Sequence, residues 1–329
     1  MEEKALYPFR FLPKDITLPW GTQSYKIADL GVIDTMVDNG WFGGNSLADL
    51  MQTYLERVVG EPSFNYYGTQ FPVMVKTLSV NGKTSLHVNA DDETAAQRYD
   101  TFGKTAIWYI TETSDDAVIY LGLRHDISAA DFYTSCLDGT IERHLNAIHP
   151  VKGECFLIQP GTVHAASGHV GIIEISESSE LFFRLCDWGR EHNNATAREM
   201  HLEEAIDLID FKAYKAPASP EAGETFSRRL AVTDQFTISE LPLPKALEIG
   251  TEGYESFILY TCVSGSAMVQ VRTEEGKDNW PVRPGEVILI PDEIENFTLI
   301  PAESGTVLLE TVITPRPAED QPEETTENA

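Results

Sequence analysis

Phe71-Pro-Val-Met-Val-Lys-Thr-Leu-Ser-Val80, Ala106-Ile-Trp-Tyr-Ile110 and Ala117-Val-Ile-Tyr-Leu121 decide the fold class. They are short runs of β-branched and aromatic residues, the kind that fit a pleated sheet surface. Cys155-Phe-Leu-Ile158, Ile172-Ile-Glu-Ile175 and Phe182-Phe-Arg-Leu185 read the same way, and each run is bounded by Gly, Asp, Asn or Pro. Their spacing is too tight for helical crossovers between parallel strands. A mainly β chain with antiparallel barrels or sandwiches is expected. Similar runs resume at Ser256-Phe-Ile-Leu-Tyr-Thr-Cys-Val263 and Ala267-Met-Val-Gln-Val-Arg272.

Three helical segments interrupt the strands. Asn45 or Ser46 caps a helix whose apolar side is Leu47, Leu50, Met51, Tyr54, Leu55 and Val58, stopped by Gly60. Ser128, with Asp131 three residues on, caps a second helix with Phe132 and Leu137 as its apolar side, and a short helix follows over Ile141–Ile148. A last helix is expected at Arg198–Ile209, with Met200, Leu202, Ile206 and Ile209 inward. The loop-like composition of Ala216-Pro-Ala-Ser-Pro-Glu-Ala-Gly-Glu places a linker there. The division expected is an N-terminal unit over 1–215, a second unit over 216–314, and an acidic disordered tail over 315–329.

Composition narrows the function. The chain has 329 residues, 42% of them hydrophobic and 23% charged, which suits a globular protein of about two domains. Asp and Glu total 52 against 24 Lys and Arg, a net charge of −28. Such a surface repels phosphate backbones, so nucleic-acid binding is excluded as a general role, while a local basic pocket for one small phosphate is not. No apolar run approaches the ~18–20 residues of a membrane span. The acidic opening Met1-Glu2-Glu3-Lys4 lacks an apolar signal region, and four scattered cysteines show no C-x-x-C pair. Both point to reduced thiols and a cytoplasmic protein.

A weak internal repeat relates Lys152-Gly-Glu-Cys-Phe-Leu-Ile-Gln-Pro-Gly-Thr-Val-His164 to Arg283-Pro-Gly-Glu-Val-Ile-Leu-Ile-Pro-Asp-Glu-Ile-Glu295. Each has a basic residue, Gly-Glu, four apolar residues and a Pro turn. The first copy is similar to the second cupin motif, with its Pro displaced to Pro160. In the second copy Glu295 stands near the His position. The alternatives are two cupin-like jelly-roll barrels, only the first carrying ligand chemistry, or two unrelated strands with Gly/Pro turns.

Ser85-Leu-His-Val-Asn-Ala-Asp-Asp92 alternates with period two, so Ser85, His87 and Asn89 share a face. His164 follows a strand and a Pro-Gly turn, at a strand junction. A lone strand histidine is more often a hydrogen-bonded structural residue than a ligand.

The longer string resembles the type I phosphomannose (mannose-6-phosphate) isomerases in their short bacterial form. It carries Phe71-Pro-Val-Met-Val-Lys76, Ser85–Glu93, Phe102-Gly-Lys-Thr-Ala-Ile-Trp-Tyr-Ile-Thr111, Pro160-Gly-Thr-Val-His-Ala165, Glu174, Phe183–Arg190 and Arg198–Phe211 in order. The resemblance implies two cupin-like barrels with a helical segment. It also implies one divalent metal, usually zinc, with His87 at the Gln position of the family's Gln-x-His pair, Asn89 at its His, Ala106 at the Glu and His164 at the unchanged His. His87 and His164 would ligate, with Asn89 offering only a carbonyl oxygen and Ala106 nothing. Asp91, Asp92 and His169 are the nearby groups able to compensate. By the same carry-over Ser85, Lys104 and Arg184 bind substrate, and Arg184, Lys104, Glu174 and Glu180 are catalytic. The implied activity is interconversion of mannose 6-phosphate and fructose 6-phosphate, a small-molecule partner with no nucleic acid or membrane. The competing functions are a sugar-phosphate-binding module without turnover, and a cupin enzyme acting on a related sugar. Neither the oligomeric state nor the catalytic base follows from the residues.

Overall fold

In this computed structural model the described residues are 4–193, 195, 197–217, 227–273 and 276–314. The expected acidic tail and residues 218–224 of the expected linker lie outside them. The fold is mainly β, two curled barrels of the cupin type with short helices.

The first barrel is a ten-stranded sheet built around the 14-residue strand His164–Glu177. That strand pairs antiparallel with Val73–Lys83, Ala106–Thr113, Leu86–Asn89 and Val118–Leu123. Over Val73, Met74, Val75 and Lys76 both alternating faces of the strand Val73–Lys83 are buried, whereas further on Leu78 and Val80 are buried and Ser79 and Asn81 face out. Leu78 and Val80 pack inside the barrel with Trp108, Ile110 and Ile172. Val73 and Val75 pack outside it with Ile107, Ile173 and Ile175. Each such side chain contributes about 1.5–3 kcal/mol through burial.

The second barrel faces a seven-stranded sheet against a four-stranded one. Ile258, Tyr260, Val269, Ile288, Leu299 and Leu308 fill the space between. The opposite face of the larger sheet, with Leu259, Leu289 and Leu309, packs into the same cluster as Val73 and Ile175 of the first barrel. The N-terminal strand Phe9–Leu12 pairs with Val287–Ile290, Phe9 opposite Leu289, so the start of the chain joins the second barrel's sheet.

The helices differ from the periodicity at several points. Ser46 caps Leu47–Tyr54 in a reciprocal box with Asp49, as its position predicts. The helix then breaks at Leu55, φ 48, and a separate turn Glu56–Val59 follows. Its Val58 and Arg57 carbonyls accept from the second barrel, from Asp292 N–H and Glu293 N–H. Gly60 does end it, and a Cβ there would lie 2.7 Å from the Glu255 carbonyl oxygen. A further helix, Glu61–Tyr67, starts at once. Ser128 caps Ala129–Leu137, but Leu137 is exposed and Cys136 takes the inward place. Ile141–Ile148 is a 3₁₀ turn and then the strand Leu145–Ile148, paired with Val118–Leu123. Arg198–Ile209 is not a helix beyond a 3₁₀ turn at Ile206–Leu208. His201 N–H donates to the Arg184 carbonyl and its ring accepts from the Arg184 N–H, so the segment lies along the strand Phe182–Cys186 instead. No helix among the described residues is long and apolar enough to cross a membrane.

Candidate active site

Two cross-strand rows build the site. Residues directly opposite on antiparallel neighbours point to the same side of the sheet. The first row runs Tyr25, Lys76, Glu174, Trp108, Phe156 across five strands. The second runs Arg184, His87, His164 across three. The Trp108 and His164 rings meet at 5.5 Å, edge to face, and so connect the rows.

The first row is a buried charge cluster. Lys76 Nζ lies 2.9 Å from Glu174 Oε1, an ion pair off the hydrogen-bonding direction, and donates to Glu180 Oε1 at 3.0 Å. Lys104 Nζ stands 3.3 Å from Glu174 and 3.8 Å from Glu180. Trp108 Nε1–H donates to Glu174 Oε2 at 2.8 Å. Burial alone would raise the Glu174 carboxyl, but Lys76, Lys104 and Trp108 outweigh it and hold it well below the usual carboxylate range. Glu180 is lowered in the same way. Burial pulls Lys76 down, but Glu174 and Glu180 outweigh it and raise the ammonium. Lys104 goes the other way, lowered by burial and by its neighbour Lys76. The two lysines therefore differ: one is locked as a cation, the other is the easier to deprotonate.

The second row holds two imidazoles. Their ring centroids are 6.1 Å apart. His164 Nδ1 bonds the Thr162 carbonyl at 2.9 Å, which fixes the proton on Nδ1 and leaves Nε2 as the acceptor. Burial pushes His164 down to about 4, with Lys104 and Lys76 adding to it against Thr162 and Glu174. Burial, then His164, Arg184, Arg198 and Lys104, push His87 well below its ordinary value. Both rings are neutral at pH 7. His87 Nε2 is buried and has no hydrogen-bond partner. Arg184 donates to the Glu199 carbonyl through Nη1, and its Nε is likewise unpartnered.

Beside this row lies a cationic knot. Ser85, expected to contact substrate, is fully buried and donates to Asp187 Oδ1 at 2.6 Å. Arg198 donates to Ser85 Oγ and to Asp187 Oδ1, the latter at 2.6 Å, and Arg190 also donates to Asp187. Burial would raise the Asp187 carboxyl, but Arg190, Ser85 and Arg198 hold it low. One carboxylate thus faces Arg190 and Arg198, with Arg184 close by, and the surplus is positive in a chain of net charge −28.

The expected residues therefore divide. His87, His164 and Arg184 share one row; Lys104, Glu174 and Glu180 share the neighbouring charge cluster. Asn89 is buried two residues along from His87, opposite Phe182. Ala106 is buried and offers only a methyl. Residue reasoning passed over Lys76, Trp108, Asp187, Arg190 and Arg198 as members of the site. Period two along Val73–Lys83 and Ala106–Thr113 was the available signal for Lys76 and Trp108. Arg198 has none, because the apolar spacing over Arg198–Ile209 predicts a helix that starts there.

The donor set does not fit a resident zinc ion. Zinc takes about four N, S or O donors, three of them from protein at a catalytic centre. Among the described residues no three His, Cys, Asp or Glu side chains gather as ligands. Glu174 is committed to Lys76 and Lys104. Of the compensating groups, Asp91 caps the helix Asp92–Tyr99 through Thr94 N–H, Asp92 accepts from Gly103 N–H, and the His169 side chain is 66% exposed beside Asp116.

Comparison with known proteins agrees with the resemblance read from the residues. No family model matches the chain. It is 26% identical over 267 residues to a protein of Bacillus subtilis named probable mannose-6-phosphate isomerase, covering 80% of this chain and 81% of that one. It is 25% identical over 273 residues to another Bacillus subtilis protein, mannose-6-phosphate isomerase, covering 80% and 82%. The crystal structure of the mannose 6-phosphate isomerase from Bacillus subtilis superposes with a TM-score of 0.81 at 21% identity, over 92% of this chain and 99% of that one. The chain is similar in sequence to the mannose-6-phosphate isomerases and has the fold of the phosphomannose isomerases.

Proposed function

We propose that the first barrel is the active site of an aldose–ketose isomerase acting on mannose 6-phosphate and fructose 6-phosphate. The Arg184–His87–His164 row carries this reading, because it sets a guanidinium and two neutral imidazoles on one side of the sheet. The reaction needs an acceptor for the C2 proton of the aldose, a return of that proton to C1, and positive charge beside the enediol oxygens. His164 Nε2, left as the acceptor by the bond of Nδ1 to the Thr162 carbonyl, is the base this row offers. Arg184 is the adjacent cation, and Lys104 is a second, the less firmly held ammonium of the two lysines. Glu174, ion-paired to Lys76 and Lys104 and accepting from Trp108, is held as a carboxylate of low basicity and serves to hold the lysines. Arg198 and Arg190, with Ser85, form the phosphate end. This subsite needs Arg198 to exchange part of its contact with Asp187 for the phosphate. Zinc, the cofactor implied by resemblance, has no step here. Four free thiols fit a reducing compartment, the cytosol.

The test is a coupled assay of fructose 6-phosphate formation together with NMR detection of solvent deuterium at C2 of mannose 6-phosphate. Turnover with deuterium incorporation is expected. Arg184→Ala should lower kcat/KM by about 2–4 kcal/mol, the scale of losing one donor to a developing oxyanion. Absence of both turnover and exchange at saturating substrate would exclude the isomerase reading.

A further inference from the structure

We infer that the site takes its sugar phosphate without a divalent cation, a sugar hydroxyl hydrogen-bonding directly to His87 Nε2. The inference rests on the sugar-phosphate reading above and concerns how that ligand is held. Three observations carry it. First, the charged groups facing His87 are cations: Arg184 directly opposite on the next strand, with Arg198 and Lys104 close enough to act on the ring. An ion of charge two seated on Nε2 would meet repulsion from all three. The carboxylates within reach of these rows, Glu174, Glu180 and Asp187, already hold lysines or arginines. Second, the strand position facing both Ser176 and Ile158 is Ala106, whose methyl is buried, so no carboxylate enters the barrel there. Third, a buried imidazole nitrogen without a partner is costly unless a ligand group completes it. A hydroxyl does this and adds no charge. The surplus of arginine is then free to balance the phosphate dianion of the same molecule.

The experiment uses the full chain, treated with dipicolinate and desalted. Metal content is measured by mass spectrometry, zinc uptake by equilibrium dialysis, and mannose 6-phosphate binding by calorimetry with and without added Zn²⁺, Co²⁺ or Mn²⁺. The expected result is no stoichiometric metal, no saturable zinc uptake, and the same mannose 6-phosphate affinity in every condition. His87→Ala should weaken that affinity by about tenfold, the scale of one hydrogen bond to a buried ring nitrogen. Retention of one metal per chain, or binding that appears only when metal is added, overturns the inference while leaving the isomerase reading standing. Mannose 6-phosphate that binds under no condition overturns both. The metal count needs no variant, so a poorly folding His87→Ala does not weaken the test.

Discussion

Lys76→Met removes the centre of the buried charge cluster while keeping most of its volume. The ammonium sits 2.9 Å from Glu174 and 3.0 Å from Glu180, and its side chain is only 5% exposed. At an effective dielectric near 20, each attraction is about 6 kcal/mol before offsets. Desolvation of the ammonium and its repulsion of Lys104 cancel much of that. The net loss expected is about 3–5 kcal/mol, the range for leaving one partner of a buried pair uncompensated. Urea unfolding at pH 7 measures it, with an unchanged slope showing that the same surface is exposed. The acid limb supplies a second reading. Glu174 has a folded pKa below its unfolded value, so its contribution is present above about 4.3 and is lost as pH falls through the folded value. With Lys76 gone the depression shrinks, and stability should fall less steeply below that pH. Lys76→Met with Glu174→Gln should recover part of the loss, because no buried charge is then orphaned at that contact. A single-variant loss under about 1 kcal/mol, the size of an exposed pair, would refute the argument that this cluster is desolvated.

His164 gives a separate pH signature. Its folded pKa of about 4 lies below the ordinary 6.5, so the unfolded state binds the extra proton between those values; stability is complete above about 6.5 and falls by about 2 kcal/mol for this group by pH 5. Chemical denaturation from pH 7 to 5 should show that slope in the native chain and a shallower one in His164→Gln, and identical slopes would place the proton uptake elsewhere. Arg198→Ala should weaken mannose 6-phosphate binding by about tenfold and abolish competition by inorganic phosphate, as expected for a lost charge-assisted contact; unchanged competition would show that the knot around Asp187 is only structural. Asn89→His with Ala106→Glu adds an imidazole and a carboxylate beside His87 and His164, and should raise zinc bound per chain by elemental analysis. If zinc stays flat, the surrounding arginines exclude it even from a fuller donor set.

What the chain's local chemistry determined, and what only its long-range pairing decided, separate along physical lines. Cys155–Ile158 and Phe182–Cys186 were legible because a β-branched or aromatic run between turn residues has few other stable conformations. The caps at Ser46 and Ser128 were legible because a side-chain oxygen three residues before a free N–H is a local arrangement. The shared face of His87 and Asn89 followed from the two-residue period of the strand Leu86–Asn89, which Ser85 precedes. The helix Asp92–Tyr99 escaped because it is polar, with Ala95 its buried residue, and so leaves no apolar stripe. Arg198–Ile209 misled for the opposite reason. Its apolar residues Leu202, Ala205 and Ile209 are buried as a helix would bury them, but Arg198 is drawn to Asp187 and His201 to the Arg184 backbone. Those partners are 11 and 17 residues away, beyond any helical repeat. Register decided the rest. Phe9 meets Leu289, and Lys76 meets Glu174, only after hundreds or scores of residues have been brought back by sheet closure. A side chain's own sequence can say which way it faces along its strand. Which charge stands opposite is set by the neighbouring strand, and in this protein that neighbour sets Arg184 opposite His87.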